Sequence, residues 1–133
     1  MTPQKDAPLT QPQEARALRG QRAYLSGLSA EGCVSDHYLA LGYERIAERW
    51  RGAAGEIDLI FWKDEVFVFI EVKASKRLAD AAEHLRPSQM QRIMRSAEDY
   101  IGRQPKGLLS DMRIDVALVD GTGAIEVIEN ALM

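Results

Sequence analysis

Gly55-Glu56-Ile57-Asp58-Leu59-Ile60-Phe61-Trp62, followed after Lys63-Asp64-Glu65 by Val66-Phe67-Val68-Phe69-Ile70-Glu71-Val72-Lys73, is the stretch that decides how this chain folds. Both runs are rich in β-branched and aromatic residues, and the polar triplet between them predicts a β-hairpin. With the turn centred between Asp64 and Glu65, Phe61 faces Val68, Leu59 faces Ile70 and Ile57 faces Val72 on one side of the sheet. Side chains alternate with a period of two, so Trp62 with Phe67 and Ile60 with Phe69 fall on the other side. There the apolar run gives way: Asp58 faces Glu71 and Glu56 faces Lys73. A hairpin apolar on both faces implies a sheet covered by helices on each side.

Directly opposed residues lie about 4.5–5.5 Å apart at Cβ. Two ionised carboxylates at about 5 Å repel by roughly 3 kcal/mol at an effective dielectric of about 20. A facing Glu56–Lys73 pair returns only about 0.2–1 kcal/mol. The opposition of Asp58 and Glu71 is therefore unfavourable without a cation. Mg²⁺ (or Mn²⁺) resolves the conflict, because a hard cation takes oxygen ligands from one or two carboxylates and keeps waters for the rest. The plainer alternative is a carboxylate pair at a sheet edge. Lys73 weighs against it, standing on the same face about 6.6 Å beyond Glu71. An amine there can activate a water or neutralise charge developing on a phosphate. Glu31 shares a helical stripe with Val34 and Tyr38, and an inward carboxylate needs a partner. It reads either as part of a metal shell or as a surface glutamate rotated off the stripe.

The remaining sequence frames this hairpin. The 133 residues are 46% hydrophobic and 28% charged, ordinary values for one globular domain. Residues 1–12 hold three of the five prolines and read as a flexible tail, leaving 13–133 as a single domain. A helical pattern follows in two pieces separated near Gly27; in the second, Ala30, Val34, Tyr38 and Leu41 recur at helical spacing until Gly42. Tyr43 to Trp50 predicts a strand and Gly52 to Gly55 a turn. Residues 88–103 predict a helix with Met90, Ile93, Met94, Ala97 and Ile101 on one stripe. Ser88 with Gln91 has the spacing of a capping box, and Pro87 alternatively marks the first turn. Met112–Val119 and Ala124–Ile128 predict two closing strands joined at Asp120-Gly121-Thr122-Gly123. The order is α-β-β-β-α-β-β.

Cys33 is the single cysteine, so no intrachain disulfide and no cysteine-based zinc site can form. It reads as a small buried hydrophobe, and His37 and His84 show no ligand spacing. The most apolar run, Val66 to Ile70, is far short of the roughly 20 residues that span a bilayer. The N-terminus lacks the apolar core of a secretory signal. These features predict a cytoplasmic protein without membrane partners.

A net charge of −3 argues at first against nucleic acid. The distribution is uneven, however: residues 31–72 carry −5 and residues 73–106 carry +4. Lys76, Arg77, Arg86, Arg92 and Arg95 follow the acidic hairpin and are candidate phosphate contacts, with an ordinary solvated helix face as the alternative. Asp111, Asp115 and Asp120 read as loop and strand-end charges.

The Gly55–Ile60 and Val68–Lys73 segments resemble the core of PD-(D/E)xK nucleases. More narrowly, they are similar to the uncharacterised bacterial YraN-like family, a relative of archaeal Holliday-junction resolvases. Ala30-Glu31 and Gly42-Tyr43 resemble that family's first helix, and Arg113-Ile114-Asp115-Val116 its late strand; the likeness runs from about Arg19 to Val119. The resemblance implies a restriction-endonuclease-like α/β fold, a mixed β-sheet flanked by helices. It implies Mg²⁺- or Mn²⁺-dependent cleavage of DNA, including branched DNA, with RNA not separable from DNA as substrate. Asp58, Glu71 and the Val72 carbonyl would be metal ligands, Lys73 the catalytic lysine and Glu31 the helix-borne acid, with Glu31 and Glu56 as further candidate ligands. Gln89 stands where many members carry a lysine, and Met90 replaces a common glutamine; Gln89 joins the candidate nucleic-acid contacts. A homodimer would match the two strands of a duplex or junction. The competing expectation is a nucleic-acid-binding or interaction module on a nuclease scaffold, without turnover.

Overall fold

A computed structural model of the chain describes residues 28–131. The tail expected over 1–12 and the helical piece before Gly27 lie outside these residues. The elements are α1 (Leu28–Ala40), β1 (Glu44–Gly52), β2 (Gly55–Lys63), β3 (Val66–Ala74), α2 (Leu78–Glu83), α3 (Pro87–Gly102), a 3₁₀ turn (Gly107–Leu109), β4 (Asp111–Val119) and β5 (Ile125–Ile128). The expected mixed α/β architecture is present, with α2 and the 3₁₀ turn in addition. Both are short, and neither carries enough apolar periodicity to be legible.

The five strands form one sheet in sequence order. The β3–β4 pair is parallel, and β1–β2, β2–β3 and β4–β5 are antiparallel. Parallel neighbours cannot be joined by a tight turn, so the chain crosses over between β3 and β4 through α2 and α3. At the β2–β3 turn, Asp64 (φ 50°) and Glu65 (φ 65°) both adopt positive φ. That is the geometry whose twist suits a two-residue hairpin. The resulting register pairs Lys63 with Val66, Phe61 with Val68 and Leu59 with Ile70, as the sequence arithmetic requires.

Helices cover both faces. Below the sheet, Ile93, Ala97 and Ile101 of α3 pack on Ile60, Phe69, Ile114 and Val116. Above it, Ala30, Val34 and Tyr38 of α1 pack on Leu59, Phe61, Val68 and Ile70. Leu41 does not continue the α1 stripe: it lies past the helix end and is exposed. The helix stops because Gly42 takes φ 90°. Pro87 opens α3 directly after Arg86, and no side chain caps that end, so the Ser88–Gln91 capping box does not form. Cys33 is half-buried rather than buried.

Asp115 departs most from its expectation. It lies in mid-β4 and is fully buried, not at a strand end. A buried carboxylate is tolerated only when its lone pairs are satisfied. Tyr38 Oη donates to it at 2.7 Å, Arg113 Nε at 3.0 Å and Arg113 Nη2 at 3.1 Å, and the Asn130 amide at 3.0 Å. Arg113 also donates to Tyr43 Oη at 2.8 Å. This network ties α1, β4 and the chain after β5 together. Tyr38→Phe removes one of the four donors to a buried charge; a loss of about 1–3 kcal/mol is expected, read as a lower urea midpoint at an unchanged slope.

Candidate active site

The β2–β3 ladder runs from Lys63↔Val66 only to Leu59↔Ile70. Beyond that point β2 stays paired with β1 as far as Gly52↔Gly55, while β3 stays paired with β4 as far as Ala74↔Val119. The two central strands therefore fork at Asp58 and Glu71. Alternation along β2 breaks at the same place. Ile57 was expected beside Leu59 and Phe61, yet it packs with Ile60, Phe69 and Ile93 on the opposite face. Freed from β3, the strand is steered by β1 and α3 instead. Ser96 Oγ donates to the Gly55 carbonyl at 3.0 Å, and the Ala53 amide donates to Asp99 Oδ2 at 3.0 Å. Gly55 takes φ 143° against the Arg92 side chain, where an added Cβ would lie 2.9 Å from Arg92 Cδ.

The Asp58 carboxylate fills the fork. Its Oδ2 accepts the Val72 amide at 2.8 Å. In an extended strand the N–H and C=O of one residue face the same edge, so the Val72 carbonyl also opens towards the fork. Asp58 and Glu71 lie within hydrogen-bonding reach of each other. Lys73 Nζ stands 3.3 Å from Glu71 Oε1. Burial, and then the adjacent Glu71, push the Asp58 carboxyl up to about 7, with the Val72 amide and Lys73 pulling the other way.

The charges around the fork pair off in a way that differs from the expected Glu56–Lys73 contact. Glu56 is 3.8 Å from Arg51, Glu71 is held by Lys73, and Glu31 Oε2 is 3.2 Å from Arg49 Nε. Lys73 turns to Glu71 because the ladder has ended and no longer sets Glu56 against it. Among the described residues Asp58 alone of these four acids has no ion-pair partner. Glu31 does point inward from α1. Burial raises its carboxyl, Asp58 and Glu56 add to the rise, and Arg49 opposes it.

Two features escaped sequence reasoning. Ser96 is a fully buried polar residue on the α3 stripe. Arg49 lies opposite Asp58, between the pairs Glu48↔Leu59 and Trp50↔Ile57. The register of the Gly52–Gly55 turn could have located it. Its φ of 49° could not have been foreseen; for a side-chain-bearing residue that conformation costs roughly 1–2 kcal/mol.

The basic candidates are placed less closely. Arg92 lies over Gly55, and its Nε is buried without a partner, as is Gln89 Oε1. Lys76, Arg77, Arg86 and Arg95 are exposed, and Arg77 sits 3.5 Å from Asp80. None of Lys76, Arg86, Arg92 and Arg95 forms an ion pair with another described residue. Two surface hollows lie away from the acids. One of 290 Å³ includes Trp62, Phe67 and Lys106 at the hairpin end, and one of 450 Å³ is lined by Met90, Gln91, Met94 and Arg95 on α3.

Could these residues hold a divalent cation? Among the described residues no three His, Cys, Asp or Glu side chains converge into a closed cage. Two close carboxylates, a carbonyl at the fork and an Asp58 without an ion-pair partner among the described residues instead fit a hard cation that retains waters. Without such an ion, Asp58 holds its proton more tightly folded than unfolded. That contribution is complete below about pH 4 and is lost as pH rises to about 7. In EDTA, Asp58→Asn should match wild type near pH 4 and exceed it near pH 8 by up to about 4 kcal/mol, measured from urea midpoints across that range.

Residues 30–119 match the model of the Uncharacterised protein family UPF0102. A UPF0102 protein of Roseobacter denitrificans is 49% identical over 118 residues, covering 89% of this chain and 92% of that protein. A UPF0102 protein of Ruegeria pomeroyi is 48% identical over 118 residues, covering 89% and 96%. One from Ruegeria sp. strain TM1040 is 46% identical over 119 residues, covering 90% and 95%. A family match across four of the five strands and the helices that cover both faces, with relatives this similar over nearly their full lengths, means that the chain belongs to family UPF0102.

Proposed function

We propose that this protein hydrolyses phosphodiester bonds in DNA with the help of Mg²⁺ or Mn²⁺ bound at the fork. The observation that carries this reading is the convergence of Asp58 and Glu71 beside Lys73, where Asp58 has no ion-pair partner among the described residues. Asp58, Glu71 and the Val72 carbonyl would be the ligands, while Glu31 stays on the α1 side, paired with Arg49. When bound, the cation supplies Lewis acidity at the phosphate and a nucleophile at neutral pH.

The chain's own groups do the remaining work. The Val72 amide fixes Asp58, so the ligand is oriented before the ion arrives. The Lys73 side chain is 15% exposed and ion-paired with Glu71. From there its amine steers a water towards phosphorus and offsets charge building on the phosphoryl oxygens. Arg86, Arg92 and Arg95, free of ion pairs with other described residues, are suited to hold the flanking phosphates.

Titration with Mn²⁺ by calorimetry should show binding to wild type and none to Asp58→Ala. Lys73→Ala should retain metal binding while cleavage falls by about 10²–10⁴-fold, assayed on duplex, single-stranded and four-way-junction DNA. Equal binding by wild type and Asp58→Ala would sink the metal site. Metal binding with no cleavage of any substrate would instead make the protein a binding module on this scaffold.

A further inference from the structure

The end of the sheet opposite the fork carries the most exposed apolar side chains. Leu109 is 88% exposed and Leu41 53%, the highest values for large hydrophobic residues among the described residues. Both flank the β2–β3 turn. Lys63 Nζ, at the end of β2, donates to the Leu41 carbonyl at 2.7 Å. Leu109 forms one side of the 290 Å³ hollow, whose other walls include Trp62, Phe67 and Pro105. An exposed apolar projection beside an aromatic hollow marks a surface that another molecule covers. On the rim, Lys106 Nζ stands 3.9 Å from Glu65 Oε2, with side chains 71% and 78% exposed. Such a pair adds little within one chain and is free to exchange partners. Glu65 and Asp111 set two acids against one lysine at the hollow, which disfavours a nucleic acid as its occupant.

We propose that a second copy of this chain docks here, in a two-fold dimer in which Leu109 of each protomer fills the hollow of its partner. A projection and a hollow on separate faces would string copies into an open chain. Here they adjoin, so a single two-fold rotation sets each projection against the opposite hollow and the contact closes. The rim is self-complementary in the same way: Lys106 of one protomer meets Glu65 of the other. Aromatic side chains suit the centre of such a contact and charges its edge. A specific interface buries about 1,200–2,000 Å² in total. The contact therefore reaches past the hollow, and Leu41 on the far side of the turn is the next apolar side chain to be covered. Six residues of strand, about 20 Å, separate the turn from Asp58, so both forks stay open in the dimer.

The test is sedimentation equilibrium of the full chain over a wide concentration range. Wild type should pass from the mass of one chain to that of two as concentration rises. Leu109→Asp, at a side chain that is almost wholly exposed, should raise the dimer dissociation constant at least about tenfold with an unchanged urea midpoint. Lys106→Glu and Glu65→Lys should each weaken the dimer, and an equimolar mixture of the two should restore it. Within either variant chain the rim charges still repel, so that recovery requires contact between copies. A monomer at every concentration would overturn the inference, as would a dimer that Leu109→Asp leaves intact. Failure of the mixed variants to recover would overturn the reciprocal rim pairing, and growth into larger oligomers would overturn the closed two-fold contact. Mn²⁺ binding should be equal in wild type and Leu109→Asp, so the metal reading of the fork stands or falls separately.

Discussion

Where β2 leaves β3, a backbone amide is stripped of its ladder partner inside the fold. An unsatisfied buried N–H costs about 1–3 kcal/mol, so the fork can exist only if something accepts from Val72. The Asp58 carboxylate does so. This single bond commits a charged group to a low-dielectric position and brings it beside Glu71, and the remaining charge pattern follows. Each flanking acid finds its own cation, and Asp58 is left with an amide, the repulsion of Glu71 and only a share of the Lys73 charge. The same contact that closes the strand ends creates the electrostatic demand that a divalent ion would meet.

Two places in the sheet treat buried charge differently. On the α1 side Asp115 has four donors from three residues, and the network locks helix, strand and C-terminal segment into one unit. The fork is satisfied only in part. Structural carboxylates are normally as well served as Asp115, and incompletely served ones collect where proteins bind ions or do chemistry. The fixed network gives the fork a rigid wall, because Tyr38 and Glu31 ride on the same helix.

Much of this was legible beforehand, for identifiable reasons. Apolar matches on both faces of the hairpin tolerate only one register, since a slip by one residue exposes every core side chain. That fixed the facing of Leu59 with Ile70; the ladder ends there, so the expected cross-strand pairing of Asp58 with Glu71 does not form and the two acids adjoin at the fork instead. The α3 stripe is equally clear from its helical period, and of the two starts the sequence allows, Ser88 or Pro87, the helix takes Pro87. The short α2 and the 3₁₀ turn carry too few residues for any period to register. Ile57 was placed on the wrong face because strict alternation holds only while the ladder does, and nothing local announces where a ladder ends.

Asp115 marks the boundary most clearly. By its sequence neighbours it is one more strand aspartate; its burial depends on Tyr38, 77 positions earlier, and on the Asn130 amide. Arg49 is similar, since its partner lies on a helix 18 positions away. The order of apolar and acidic residues by itself determined the central hairpin, its register, the two-sided burial and the approach of two carboxylates, because periods of two and 3.6 are local properties of a chain. Only the tertiary structure decided where the strands part and which cation serves which acid. Those outcomes depend on competition among distant groups for the same few partners, and a linear pattern holds no record of that competition.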